Sequence, residues 1–186
     1  HREDGDRRLS REWWAVSFLS ERLPKRVASA IWRSPVKRVG IYSWVPGIRP
    51  SLDENSVAGM LEILCEMETL SSDNLRVQLP KAVDAIRGPN DLVEQVLSRQ
   101  SFLSKTGDEM IEGYSAQIYL ILNQLSTNFA GRDSLENNSP ILSFSDFGPH
   151  NLVWEPLENQ FFAVDLEFFG TDDRHKLIGD TILHPQ

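Results

Sequence analysis

The sequence predicts an α+β fold: a helix and two short strands, then a helical block, then a closing set of strands and loops. Three observations predict it. Apolar residues recur at helical spacing near the start and through the middle of the chain. Brief β-branched or aromatic runs, bounded by Pro, Gly and Asn, stand on either side of that middle. No internal repeat or low-complexity tract is present. With 186 residues, 40% of them apolar, the chain can bury a real core of about one to one and a half domains. Fibrous, collagen-like and disordered classes are excluded.

Leu9, Trp13, Val16 and Leu19 predict a first helix through Arg11–Arg22. Pro24 to Trp32 and Val36 to Val45 read as two strands around a Ser34-Pro35 turn, with Pro46-Gly47 stopping the second. Ser51 and Glu54 make an S-x-x-E capping box, after which Val57, Met60, Leu61 and Leu64 should form the apolar face of a helix, with Cys65 beside it in the core. Two shorter helices are expected over Pro80 to Arg87, closed by Gly88, and Asn90 to Phe102, with Asn90 as N-cap. Tyr114, Ile118, Ile121, Leu122 and Leu125 mark a longer amphipathic helix. After a polar loop over 131–140, the runs Ile141–Phe144, Leu152–Trp154 and Phe161–Val164 are too brief for helices. Glu155–Gln160 joins the last two as a hairpin turn.

Charge and cysteine usage narrow the function. The 19 Lys and Arg against 27 Asp and Glu give a net charge of −8, which argues against a nucleic-acid-binding surface. Residues 1–40 hold ten basic and five acidic side chains, whereas residues 146–186 hold two and eight. That acidic C-terminal end would suit a cationic ligand. The single cysteine, Cys65, makes no intrachain disulfide, so a reducing, cytoplasmic location is expected. The longest uncharged stretch, Gly113 to Gly131, is interrupted by Gln117, Asn123, Gln124 and Asn128, so no membrane association is expected. The chain opens on His1 rather than Met, and a truncated N-terminus is expected.

The most informative stretch is Ser145-Asp146-Phe147-Gly148-Pro149-His150-Asn151, followed by Ala163-Val164-Asp165-Leu166-Glu167. Phosphoryl transfer from ATP needs a carboxylate to orient the attacking hydroxyl and take its proton, and hard oxygen ligands for a Mg²⁺ that bridges the phosphates. Asp-x₄-Asn on a tight loop, with a further Asp after a hairpin, supplies these groups.

These residues resemble the aminoglycoside phosphotransferase and choline-kinase-like family of small-molecule kinases, in its subgroup with a Ser-Asp-Phe-Gly-x-His-Asn loop. The resemblance implies Asp146 as catalytic base, Asn151 and Asp165 as Mg²⁺ ligands, and Glu167 as the end of the Asp-x-Glu string. It extends through Asp172-Asp173 and Lys176-Leu177-x-x-Asp180. Upstream, Arg11-Glu12-Trp13 resembles the small-lobe helix whose Glu pairs with the ATP-phosphate Lys, and Tyr42-Ser43-Trp44-Val45-Pro46-Gly47 resembles the hinge strand. Glu12, Ser43, Trp44 and Val45 are therefore the expected nucleotide contacts. In the family a glycine-rich loop and the Lys strand precede the Glu helix, and further helices follow the position of Asp180. Most members carry His-Gly before the catalytic Asp, where this chain has Phe144-Ser145. The literal Asp-Phe-Gly at 146–148 is not the protein-kinase metal motif, because no His-Arg-Asp-like loop precedes it.

The resemblance implies a protein-kinase-like two-lobe fold: a partial small lobe at 1–45, a hinge at 46–50 and a mostly helical large lobe at 51–186. It also implies an ATP- and Mg²⁺-dependent enzyme acting on a hydroxyl of a small molecule, of the aminoglycoside, aminosugar or amino-alcohol kind. The alternatives are a non-catalytic kinase-like nucleotide-binding or scaffold module, and a metal-dependent hydrolase using the same carboxylates. His150 is expected to be a loop hydrogen-bonder. His175 and His184 lack companions at zinc spacing. Trp13, Trp14, Trp32 and Trp44 are expected to pack the small lobe, with Trp44 also placed to touch adenine.

Overall fold

The structure, a computed structural model, describes residues 2–70, 79–86, 88–103, 109–129 and 140–183. The loop expected over 131–140 lies outside these residues except for Pro140, as do Arg87 and His184. The architecture is mixed α+β. Helix α1 (Arg2–Arg22) leads to the antiparallel pair β1 (Ala30–Ser34) and β2 (Val39–Tyr42), with Trp32 opposite Ile41. Helices α2 (Glu54–Leu70), α3 (Pro89–Leu103) and α4 (Glu109–Phe129) follow. Then come β3 (Ile141–Ser143), a single 3₁₀ turn at Pro149–Asn151, β4 (Leu152–Glu155), β5 (Gln160–Ala163), β6 (Gly170–Asp172) and α5 (Arg174–Leu183). β4 pairs antiparallel with β5 across the expected hairpin, and β3 with β6.

The core sits where α1 and α2 cover the C-terminal strands. Ala15 and Leu19 of α1, and Met60, Ile63 and Met67 of α2, pack with Leu142, Phe144, Leu152, Phe161, Leu166 and Phe169. Each of the larger of these side chains contributes about 1.5–3 kcal/mol by leaving water. Gly59 lets α2 approach β5, because a Cβ there would fall 2.2 Å from the Phe161 ring. Arg26 joins the segment after α1 to α2 through Glu66 at 2.9 Å, while its carbonyl accepts the Ala163 amide at 2.7 Å.

Several sequence expectations are corrected. The helix cap is Asp53 with Ser56, not Ser51 with Glu54: the Ser56 amide donates to Asp53 Oδ1 at 2.8 Å and the Asp53 amide to Ser56 Oγ at 3.0 Å. The reciprocal bonding is the same, two residues later. The buried face of α2 is correspondingly turned to Met60, Ile63 and Met67, leaving Val57, Leu61 and Cys65 exposed. Asn90 is not an N-cap, because α3 already begins at Pro89 behind Gly88.

No helix forms over 80–86. The Thr171 amide donates to the Pro80 carbonyl at 2.9 Å, the Ala82 amide to Thr171 at 3.0 Å and the Val83 amide to Phe168 at 3.1 Å, so backbone groups that would close helical turns pair with β6 and with Phe168 before it instead. Gly170 permits this approach, since a Cβ there would lie 2.4 Å from the Ala82 nitrogen. Strand β6 and helix α5 were not foreseen as elements at all. On α4, Leu122 is buried as expected, but Tyr114, Ile118 and Ile121 are exposed.

Candidate functional site

The site grows from the loop between β3 and β4. The buried Phe144 stacks on Phe147 with ring centroids 4.7 Å apart and meets Phe169 at 5.8 Å, so an aromatic stack anchors both ends of the turn. Ser145 between them takes φ +66°, a left-handed conformation that a glycine adopts without strain. The Asp146 amide donates to the Phe144 carbonyl at 2.8 Å, and the Ser145 amide to Ser143 Oγ at 2.9 Å. Asp146 is thereby held on a sharp corner, half exposed. His150, four residues on in the 3₁₀ turn, places Nε2 3.5 Å from Asp146 Oδ1.

Asn151 is the buried knot of the loop, only 6% exposed. Its Nδ2 donates to the Asp146 carbonyl at 2.9 Å, which leaves Oδ1 as the side-chain atom able to take a cation. Its own carbonyl accepts the Val164 amide at 2.9 Å, tying the loop to the residue before Asp165. Asp165 is exposed and also left-handed, at φ +58°. Among the described residues, the non-glycine positions with positive φ include Ser145, next to Asp146, and Asp165, itself a candidate ligand. Such strain costs of order 1–3 kcal/mol each and persists where the surroundings impose it.

Glu12, Ser43, Trp44, Val45 and Asp165 line one cleft of about 410 Å³, with His150 on its wall. The far side is shaped by Gly47, whose φ of +138° lets Ile48 exchange two backbone hydrogen bonds with Trp154, at 2.8 and 2.9 Å. A Cβ on Gly47 would lie 2.3 Å from the Trp154 carbonyl oxygen. Ser43 is fixed by giving its amide to Ser29 and accepting the Ser29 amide at Oγ, both at 2.8 Å. Trp44 does not pack against the small strands as expected; it is 86% exposed, because the chain turns away at Pro46-Gly47 to reach Trp154. Trp32 is likewise exposed, whereas Trp14 packs against the core.

The electrostatics of the cleft are acidic. Burial raises the Glu12 carboxyl above its usual range; the Tyr42 hydroxyl draws it partly back, and the charges of Asp165 and Glu167 add to the rise. The Tyr42 hydroxyl is buried without a well-aligned hydrogen bond, and burial together with Glu12 pushes it up to about 12. Arg8 offsets part of this charge by pairing with Glu167 at 2.9 Å. A carboxyl raised in part by neighbouring negative charge, as Glu12 is, suits a nearby divalent cation. Among the described residues, no three His, Cys, Asp or Glu side chains cluster as an all-protein metal cage. Mg²⁺ sites built from one or two protein groups plus substrate phosphates do not require one.

Asp146 lines a second cavity, of about 380 Å³, on the other side of its contact with His150. The structure thus gathers Glu12, the 43–45 segment and Asp165 in one space, sets Asp146 in the next, and joins them through Asn151 and His150. Sequence reasoning missed the second cavity, whose walls come from 84–86, α3, Phe168 and α5. The spacing of Asp146 and His150, four residues apart, was the one readable sign of their contact. Among the described residues, no helix is long and apolar enough to cross a membrane. No protein-family model matches the chain, and no curated protein matches it either.

Proposed function

We propose that this protein is a small-molecule kinase that moves the γ-phosphoryl group of ATP, with Mg²⁺, to a hydroxyl acceptor; the resemblance of its loop motif implies an aminosugar or amino-alcohol kind of acceptor. The proposal includes the kinase-like division into a partial small lobe at 1–45, a hinge at 46–50 and a large lobe at 51–186. A cytoplasmic location belongs to the same reading and rests on the lone cysteine. The observation that carries it is the convergence of Glu12, Ser43, Trp44, Val45 and Asp165, distant in sequence, on one cleft.

In this reading the 43–45 segment borders the place of the adenine, and the Asn151 amide oxygen and Asp165 carboxylate would hold the metal. Mg-ATP supplies the phosphoryl group and neutralises the charge that develops on it. Asp146 orients the acceptor hydroxyl and accepts its proton, and the aromatic stack beneath keeps that carboxylate in place. His150 limits the rotation of Asp146 through the 3.5 Å contact. Glu12 contributes negative charge beside Asp165, where a cation lowers the mutual repulsion.

Calorimetry of Mg-ATP binding tests the reading, with Asp165→Ala as the control. Wild-type binding that the variant abolishes is the expected outcome. Unchanged affinity in the variant would sink the metal assignment. Binding without transfer to any acceptor would instead favour the non-catalytic nucleotide-binding module, and release of phosphate to water alone would favour the hydrolase.

A further inference from the structure

Positive charge is segregated along the chain. Residues 22–52 carry seven Lys and Arg and no Asp or Glu, whereas all other residues together carry 12 basic and 27 acidic side chains. Some of the seven serve the fold: Arg22 pairs with Glu21, Arg26 with Glu66, and Arg33 lies over the Trp13 ring. Lys37 stands exposed in the turn between β1 and β2.

That hairpin also carries apolar side chains on the face turned away from α1. On the near face Arg33 is opposite Gly40, where a Cβ would fall 3.1 Å from Leu9 of α1. Side chains alternate between the faces of a strand, so the adjoining pairs, Trp32 with Ile41 and Ser34 with Val39, share the far face. Trp32, Ile41 and Val39 are each close to half exposed there. In the turn, Val36 is 94% exposed beside Lys37. The solvent face of an antiparallel sheet is ordinarily polar, and a contiguous apolar one marks a contact surface.

Charge and shape separate the occupants. A second copy meeting the same face would set like charge against like. A nucleic acid would take the cations but not the apolar side chains. An acidic protein segment shares the charge but would seat its apolar residues in a groove, and Val36 stands on a turn almost wholly in solvent. An anionic bilayer surface meets every feature: Trp settles at the headgroup level, aliphatic side chains enter the acyl boundary, and Lys meets acidic headgroups. The lack of a spanning stretch, the reason for expecting no membrane association, has no bearing on docking at a surface, which needs no span.

We propose that the β1–β2 hairpin docks this protein on anionic membrane surfaces, with Trp32, Ile41 and Val36 at the headgroup boundary and Lys37 among the acidic headgroups. The surface is independent of the kinase reading, since neither Val36 nor Lys37 lines the nucleotide cleft.

Co-sedimentation with vesicles of phosphatidylcholine containing about one-third phosphatidylserine tests this, against vesicles of phosphatidylcholine alone. Binding to the anionic vesicles should be about tenfold tighter or more, and should weaken as salt rises. Val36→Asp should weaken it by about tenfold and Lys37→Gln by about fivefold, the effect of one cation near the surface. Both side chains lie in solvent, so the variants leave the core intact and Mg-ATP affinity unchanged. Brominated phosphatidylserine should quench the wild-type tryptophan fluorescence, and Trp32→Phe, which keeps an apolar ring, should still bind but lose part of the quenching. Failure to bind vesicles, with or without binding of poly-glutamate as a model acidic segment, would overturn the proposal. Equal affinity for the two vesicles, binding indifferent to Val36→Asp or Lys37→Gln, or quenching unchanged in Trp32→Phe would overturn it too. So would dimers in vesicle-free solution that Val36→Asp dissolves, because the face would then belong to a second copy. Absence of Mg-ATP binding beside intact vesicle binding would overturn the kinase reading alone.

Discussion

The side-chain amide of Asn151 donates to the backbone carbonyl of Asp146 at 2.9 Å, so the proposed metal ligand and the proposed base are held by one buried residue. The same asparagine gives its backbone amide to Gly148 and takes that of Val164, both at 2.9 Å. Replacing it by alanine strands a part-buried carbonyl, which costs about 1–3 kcal/mol. Asn151→Ala should therefore lower unfolding stability by that amount in urea titration, in addition to weakening Mg-ATP. A loss below about 0.5 kcal/mol, ordinary for a surface loop residue, would show that the knot does not hold the loop.

Ser145 pays for its left-handed backbone. A β-branched residue tolerates φ +66° least, while glycine adopts it freely. Ser145→Val should destabilise the protein by about 1–3 kcal/mol. Ser145→Gly should stay within about 1 kcal/mol of wild type, its relief of strain offset by greater freedom of the unfolded chain. Equal stability of the two variants, measured by thermal and urea unfolding, would contradict this backbone geometry.

Asp172 gives a pH-dependent test. Burial raises its carboxyl above 3.8, while the Lys176 charge and the amides of Asp173 and Ile86 draw it down only in part. Lys176 sits 3.2 Å from Oδ2 without hydrogen-bond alignment. A carboxyl raised on folding binds its proton more tightly in the native state. Its contribution to stability is fully present below its unfolded value and is lost as the pH rises through the folded value. Lys176→Met removes a counter-charge and widens the shift, so the variant should lose about 3–5 kcal/mol at pH 7. The gap to wild type should then narrow as the pH falls from 7 towards 4. A gap independent of pH across that range would place the effect in packing instead.

Much of this was legible in the sequence because the signals were local. The helix through Trp13 and Leu19, a β1–β2 pair, a helix at α4 and the β4–β5 hairpin depend on spacing and turn residues, and these elements are present, although α1 begins well before Arg11, β1 and β2 are confined to Ala30–Ser34 and Val39–Tyr42, and the expected apolar face of α4 is buried at Leu122 but exposed at Tyr114, Ile118 and Ile121. Two of the failures share one physical cause, the approach of distant parts of the chain. Residues 80–86 have helical composition, but Thr171 and Phe168 take their amides and carbonyls. Cys65 and Leu61 fall at plausible core spacing, but Phe161 approaches α2 at Gly59 and fixes a different face inward. In the candidate site, residue types and spacing pointed to Asp146, Asn151 and Asp165. Nothing local revealed that Ser145 would be left-handed, or that α5 would supply a cavity wall.

Asp146 carries the last prediction. Its carboxylate is half exposed on a loop anchored by the Phe144–Phe147 stack, it lines the second cavity, and its contact with His150 leads to the first. If it orients the acceptor hydroxyl and takes its proton, a side chain of the same shape without basicity removes about 10²–10⁴-fold in rate. Asp146→Asn preserves the backbone bonds to Phe144 and Asn151, because both are made by main-chain atoms of residue 146. The variant should accordingly keep its melting temperature within a few degrees and its Mg-ATP affinity within a few-fold, while turnover falls by about that factor. A carboxylate that only shapes the turn predicts the opposite pattern: lower thermal stability with turnover per folded molecule unchanged. Measuring melting temperature, Mg-ATP affinity and turnover on one preparation separates the two. Near-normal turnover in a folded Asp146→Asn protein would remove the base, and with it the chemical step of the proposed kinase.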